Sequence, residues 1–201
     1  MKTVPQPGPA LHVVVGCAAL HGSRSDWLVE KCTELGASAL SPLLSERSPT
    51  FGGPNKGKAH ASATADSKGR LGRWQRVAQA ALKQSLRVHE LHLSEPWSMQ
   101  RLESETQEPG TCTLVAAEGG ENALTVLPSA VAAPGNVSHA PRRVLLVVGP
   151  PGDFAAHELG ALQDAGALLV GLGRARLRTE TAAMALLTAC ALHRDLDPAQ
   201  R

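Results

Sequence analysis

Val144-Leu145-Leu146-Val147-Val148-Gly149-Pro150-Pro151-Gly152-Asp153 joins an uninterrupted apolar run to a turn made of glycine and proline. A short, β-branched run of this kind, closed by turn residues, reads as a strand buried on both faces, as parallel sheets require. Downstream, Asp153 is placed to cap a helix through Ala165, Gly166 to end it, and Ala167 to Leu172 to return as a second strand. A Gly- and Arg-rich turn, Gly171 to Arg178, then opens a last helix, Thr179 to His193. Strand, helix, strand and helix in this rhythm specify an α/β fold on a parallel sheet.

The N-terminal part repeats the rhythm. Leu11 to Leu20 reads as a strand, and Ser23-Arg24-Ser25-Asp26 as a capping box opening a helix that carries Leu28, Cys32 and Leu35 on one face and stops at Gly36. Ala39 to Leu44 follows as a strand. Residues 49–69, rich in Gly, Ser, Ala, Lys and Pro without periodicity, read as a flexible surface insertion. Arg70 to Val88 reads as a helix with Trp74, Val77, Ala81 and Val88 on one face and Arg73, Arg76, Lys83 and Arg87 nearly opposite. Those cations read either as a solvated face or as a phosphate-contacting stripe. Ser94 to Gly110 is polar; Cys112 to Ala117 and Leu124 to Leu127 read as strands around Glu118-Gly119-Gly120-Glu121, with a loop from Pro128 to Pro141.

Composition bounds what this fold can be for. With 201 residues, 43% of them hydrophobic and 19% charged, one main core is expected. No tyrosine and only two phenylalanines leave little for base-stacking platforms. The net charge of +2 conceals a local cluster, Lys56, Lys58, Lys68, Arg70, Arg73 and Arg76, which suits a polyanionic partner. Cys17, Cys32, Cys112 and Cys190 form no C-x-x-C pair and read as reduced thiols of an intracellular protein; His89 and His92 read as surface histidines, and no metal is expected. No apolar run is long enough to span a bilayer, so no membrane partner is expected, and Met1 to Ala10 lacks the core of a signal peptide.

Gly149-Pro150-Pro151-Gly152 and Gly171-Leu172-Gly173 both fall at the carboxyl ends of strands, where α/β proteins place ligands. Neither is followed by Lys-Ser/Thr, and neither has the spacing of a dinucleotide fingerprint, which argues against nucleotide hydrolysis and hydride transfer. Glycines there let backbone approach a small ligand closely.

Four ordered blocks, Lys31 to Gly36 with Pro42-Leu43 and Glu46-Arg47-Ser48, then Arg73-Trp74 with Gln84-Ser85 and Arg87, then Gly149 to Phe154 with Glu158, and last Leu172 to Ala182, together resemble the RsmE family of SPOUT-class ribosomal RNA uridine N3-methyltransferases. Lys31-Cys32-Thr33-Glu34-Leu35-Gly36 with Pro42-Leu43 and Glu46-Arg47-Ser48 is similar to that family's K-x-TELG…P-L-x-x-ERS; Arg73-Trp74 with Gln84-Ser85 and Arg87 to its RW…EQS-x-R helix. Gly149 to Phe154 with Glu158 resembles GPEGGF…E, and Leu172 to Ala182 resembles LG-x-x-ILR-x-ETA. GPPGD replaces GPEGG, and KQS replaces EQS; the PPGD and R-L-R forms resemble plant or algal members.

The resemblance implies a SPOUT-type parallel sheet with a C-terminal deep trefoil knot, spanning residues 11–195 between an N-terminal remnant (1–10) and a tail (196–201). The family's N-terminal PUA-like barrel is expected to be largely lacking. S-adenosyl-L-methionine is the implied cofactor, held by Gly149, Pro150, Gly152, Leu172, Gly173, Arg176 and Leu177, with Ala116 to Glu118 as a third wall. Arg178 is the implied electrostatic catalyst, oriented by Glu180; Arg47, Arg73, Arg76, Gln84 and Arg87 are the implied RNA contacts. Small-subunit ribosomal RNA and a second copy of the chain are the expected partners, and the cytoplasm or an organelle the expected compartment. The alternatives are a catalytically inactive RNA-binding or assembly factor, and a SPOUT methyltransferase for another RNA site.

Overall fold

The computed structural model describes residues 8–16, 22–48, 59–131 and 141–195, with 59–68 and 70 as backbone. In chain order the elements are β1 (Ala10–Gly16), α1 (Ser23–Glu34), β2 (Ala39–Leu44), α2 (Ala59–Gln84), β3 (His92–Leu93), β4 (Trp97–Ser98), α3 (Met99–Gln107), β5 (Thr111–Asn122), α4 (Ala123–Val131), β6 (Arg143–Val148), α5 (Ala156–Asp164), β7 (Leu168–Gly171) and α6 (Thr179–Asp195). The sheet runs β3-β2-β1-β6-β5-β7, with β4 also on β2, and every pairing is parallel.

Alternation along the central strands sends side chains to two cores. Val13, Val15, Leu114, Leu146 and Val148 pack under the layer that includes α1 and α6. Val14, Val115, Leu145 and Val147 face the other way, with Trp97, Leu102, Phe154 and Leu162. Sheet burial on both faces explains why Val144 to Val148 contains no polar residue.

β5 lies between β6 and β7, so the two glycine turns are separated by one strand rather than adjacent. The chain leaving β7 recrosses the sheet to pack α6 against β1, β6, α4 and α1. At the crossing, backbones touch: a Cβ on Gly120 would stand 2.7 Å from the Val170 backbone, and one on Gly171 would stand 2.8 Å from the Gly120 oxygen.

Several expectations are corrected. Residues 59–69 are helical and continue into α2, which ends at Gln84 rather than Val88; Leu86 takes a positive φ of 56° while the Ser85 and Arg87 amides bond back to Ala81 and Leu82. Val88 therefore lies beyond the helix and is exposed, whereas Trp74 and Ala81 are buried as the periodicity requires. Leu124 to Leu127 is helical, in α4, which extends through Pro128 to Val131. α3 occupies the stretch read as merely polar. The capping box at Ser23 does not form, since Gly22 is the N-cap and Ser25 Oγ donates to its carbonyl. Gly36 and Gly166 end their helices with φ of 91° and 100°, as expected. Cys17, residues 18–20, Lys56, Lys58, most of the loop before Pro141 and the tail 196–201 lie outside the described residues, as do the side chains of Lys68 and Arg70.

His12 is buried within β1, its Nε2 2.8 Å from Ser41 Oγ and its ring 4.8 Å from the Trp97 ring, edge to face. Burial, then the charges of Arg143, His92 and Arg101, push its pKa down to about 3 from 6.5. The neutral form is therefore the folded form. Its stability contribution is complete above pH 6.5 and is lost as pH falls toward 3. Through that window His12→Gln is expected to flatten the fall in unfolding free energy by about 1.4 kcal/mol per pH unit relative to the parent chain. Denaturant titrations at a series of pH values check this; parallel acid limbs would refute it.

Candidate active site

The carboxyl edge of the sheet gathers three loops. After β6, Gly149 and Pro150 are buried while Pro151 and Gly152 are exposed. Gly149 is tightly packed, since a Cβ there would stand 3.1 Å from the Asp153 carboxylate and 3.2 Å from the Phe154 ring and those side chains would have to give. Asp153 does not cap α5. It adopts a φ of 66° and accepts from the Phe154 amide; the N-cap is Ala155, whose amide donates to Glu158 Oε2 at 2.9 Å. After β7, Leu172 and Leu177 are half-buried against the core, while Gly173, Arg174, Arg176 and Arg178 face solvent. Between them stands β5, whose pairing with β7 shifts register between Ala116 and Glu121, next to the expected third wall, Ala116 to Glu118.

These loops are tied together by groups to which the sequence reading assigned no role. Thr179 Oγ1, buried at the start of α6, donates to the Gly149 carbonyl at 3.2 Å and fixes the segment bearing Arg178 against the first loop. Gly16, at the end of β1, packs so closely on Pro150 that a Cβ would stand 2.5 Å from its nitrogen. Nothing in the run Leu11 to Leu20 signals that contact. Glu158 is buried, and the reason is its two backbone partners, the Ala155 and Glu46 amides. Without Ser or Thr at Ala155, the usual capping-box signature was missing.

The candidate RNA contacts divide by position. Arg47 reaches the carboxyl edge, its guanidinium donating to the Gly152 carbonyl at 2.5 Å. Arg73 is 61% exposed and pairs with Asp26 in the first turn of α1, at the same end of the molecule, and Arg76 is exposed nearby on α2. Gln84 and Arg87 lie at the opposite end. Arg87 donates to the Thr33 and Ala37 carbonyls at 2.6 and 3.2 Å, closing the C-terminus of α1. Strand register sets Ala37 about six residues below Gly149, roughly 20 Å at the rise of a strand. Within one chain Arg87 therefore does not meet Arg178. The Arg178 side chain makes no hydrogen bond or ion pair with another described residue, and none joins it to Glu180.

Residues 7–191 match the model of the RNA methyltransferase domain family. The chain belongs to that family. It is 28% identical over 188 residues to ribosomal RNA small subunit methyltransferase E of Bacillus subtilis, covering 92% of this chain and 68% of that protein. It is 34% identical over 191 residues to the Mycobacterium bovis protein of the same name, covering 93% and 64%. The chain thus spans about two thirds of these curated relatives. Its fold is similar to the crystal structure of a ribosomal RNA small subunit methyltransferase E from Neisseria gonorrhoeae bound to S-adenosyl methionine, with a TM-score of 0.67 at 23% identity, over 94% of this chain and 68% of that one. Among the described residues no group of three His, Cys, Asp or Glu side chains could hold a metal, and no described helix is long and apolar enough to cross a membrane.

Proposed function

We propose that this RNA methyltransferase domain uses S-adenosyl-L-methionine to methylate a uridine N3 in small-subunit ribosomal RNA. The observation that carries the reading is the carboxyl-edge cradle of the three loops, in a chain whose relatives are named for that RNA. The residues present fit the cofactor. Beside Gly152 and Gly173 a Cβ would meet nothing within 4 Å, so there is open space against bare backbone, and the half-buried Leu172 and Leu177 offer an apolar wall for a purine. Gly149, Pro150, Gly152, Leu172, Gly173, Arg176 and Leu177 would hold it there. The bound cofactor supplies an electrophilic methyl on a sulfonium, with a neutral thioether as leaving group.

The work left to the protein is orientation and charge. Uridine N3 is a poor nucleophile until its proton departs, and a fixed guanidinium stabilises the anion that forms. Arg178 takes that role, with Glu180 one turn-start away as its orienting partner; Arg47, Arg73 and Arg76 contact phosphate or base from the same end of the molecule. Gln84 and Arg87 would reach an RNA site only across a subunit boundary. The recrossing of α6 and the backbone contact between Gly120 and Val170 support a C-terminal trefoil knot, since such threading needs a tight, side-chain-free crossing.

A second copy completes the reading. α6 buries Ala183, Leu186, Leu187 and Cys190 within its own chain yet leaves Leu192 60% exposed. Sedimentation velocity at micromolar concentration is expected to give a dimer, and a monomer would remove the partner subunit from the account. For RNA, Arg76→Ala is expected to weaken binding alike for matched and unmatched sequences and to lower the slope of log affinity against log salt by about one. An unchanged slope would mean that Arg76 touches no phosphate. The function itself is tested by incubating the chain with methyl-labelled S-adenosylmethionine and separated ribosomal subunits: label in small-subunit RNA alone is expected, and cofactor binding without transfer would refute the assignment.

A further inference from the structure

Glu158 is only 5% exposed, and its two oxygens serve different parts of the chain. Oε2 accepts from Ala155 at the start of its own helix, but Oε1 accepts at 2.8 Å from the amide of Glu46, 112 residues away. Glu46 belongs to a turn, Ser45 to Ser48, closed by the Ser48 amide donating to the Ser45 carbonyl and by paired hydroxyls 2.9 Å apart. Arg47 in that turn donates back to Gly152, and His157 Nε2 stands 3.5 Å from the Glu46 carboxylate. A carboxylate withdrawn from water must have its oxygens satisfied, so the Glu46 bond is a requirement of the buried group and not an accident of packing. Capping α5 alone would need neither the burial nor the second segment.

We propose that Glu158 is a positioning residue that locks the Arg47 turn onto the 149–155 loop, so that cofactor binding and presentation of Arg47 to RNA are coupled. The proposal deepens, and rests on, the reading of these loops as cofactor and RNA contacts. Ordering the 149–155 loop around a ligand orders the Arg47 turn through the lock, and the coupling is reciprocal.

Two variants of the full chain test it. Glu158→Gln sets an amide N–H against one of the two backbone donors. Glu46→Pro deletes the donor itself, at the second position of a turn that accepts proline. In hydrogen exchange, S-adenosylmethionine is expected to protect both 45–48 and 149–155 in the parent chain, but 149–155 alone in either variant. In steady-state methylation of small subunits the KM for RNA is expected to rise about tenfold in both variants, with cofactor Kd measured without RNA within about twofold. A parent chain that transfers no methyl would overturn the proposed function, yet the exchange comparison would still decide the lock. Equal exchange at 45–48 in parent and variants, or an unchanged KM, overturns the lock. Should Glu158→Gln fail to fold, Glu46→Pro carries the test.

Discussion

Arg178→Ala is expected to lower kcat by about 10²- to 10³-fold, the usual effect of deleting a preorganised group from a site of developing negative charge. The backbone at this position is held: the Arg178 carbonyl accepts from Ala182 at 2.8 Å, and the next residue, Thr179, donates to Gly149. The side chain is exposed and bonds to no other described residue, so truncation leaves no buried group unpaired and the folded state should not notice it. The loss should therefore fall on the chemical step, with cofactor affinity and unfolding midpoint close to the parent's. Arg178→Lys keeps the charge but loses the planar fork and should recover only part of the rate. Single-turnover methylation with saturating RNA reads this directly, and a kcat within twofold of the parent would remove Arg178 from the catalytic role.

Gly16→Ala is the second large effect, reached through backbone. Its Cβ would stand 2.5 Å from the Pro150 nitrogen and 2.8 Å from its Cα, atoms of a buried, ring-locked residue and not the end of a flexible side chain. The only relief is displacement of the loop that Pro150 begins. Overpacking of this kind costs about 1–3 kcal/mol of stability. A shift near 1 Å in the cofactor loop should weaken S-adenosylmethionine binding and, by misaligning the methyl donor, slow transfer by up to about a hundredfold. Gly160→Ala in α5, where a Cβ meets nothing within 4 Å, is the matched control and should be neutral or slightly stabilising. Calorimetric titration of the two variants checks the pair; equal affinities would mean that β1 does not support the cofactor loop.

How much of this was legible in the chain depended on how local the determining physics is. The limits of β2 were read correctly, as was a strand at Val144 to Val148, because a strand buried on both faces is apolar throughout and bounded by turn residues. The positive-φ glycines at Gly36 and Gly166 marked helix ends for the same local reason. Leu124 to Leu127 misled because four residues, three of them apolar, carry no period, and Pro128 argued against a helix that nonetheless continues through it. α3 escaped because it buries only Leu102 and Thr106, too few apolar positions to announce a face.

For the site, the two glycine turns and Arg47 were legible as motifs, but their relation was not. Helical spacing put Arg87 with Arg73 and Arg76 on one face, and they do share α2 or its exit. Spacing cannot tell which end of a helix meets which edge of a sheet, and α2 runs parallel to α1, carrying Arg87 away from the glycine turns. Glu158 was legible as part of a motif but its role was not, and Gly16 was not legible at all, because their partners, Glu46 and Pro150, are brought to them only by the parallel order of β2, β1 and β6.

The most direct test of the central claim is the identity of the methylated atom. Small ribosomal subunits from a strain lacking its own uridine N3-methyltransferase would be incubated with the chain and methyl-labelled S-adenosylmethionine, and the RNA digested and resolved by mass spectrometry. The account predicts label in N3-methyluridine at a single position, lost with Arg178→Ala. Label on any other base or on ribose, or no label despite bound cofactor, would contradict it.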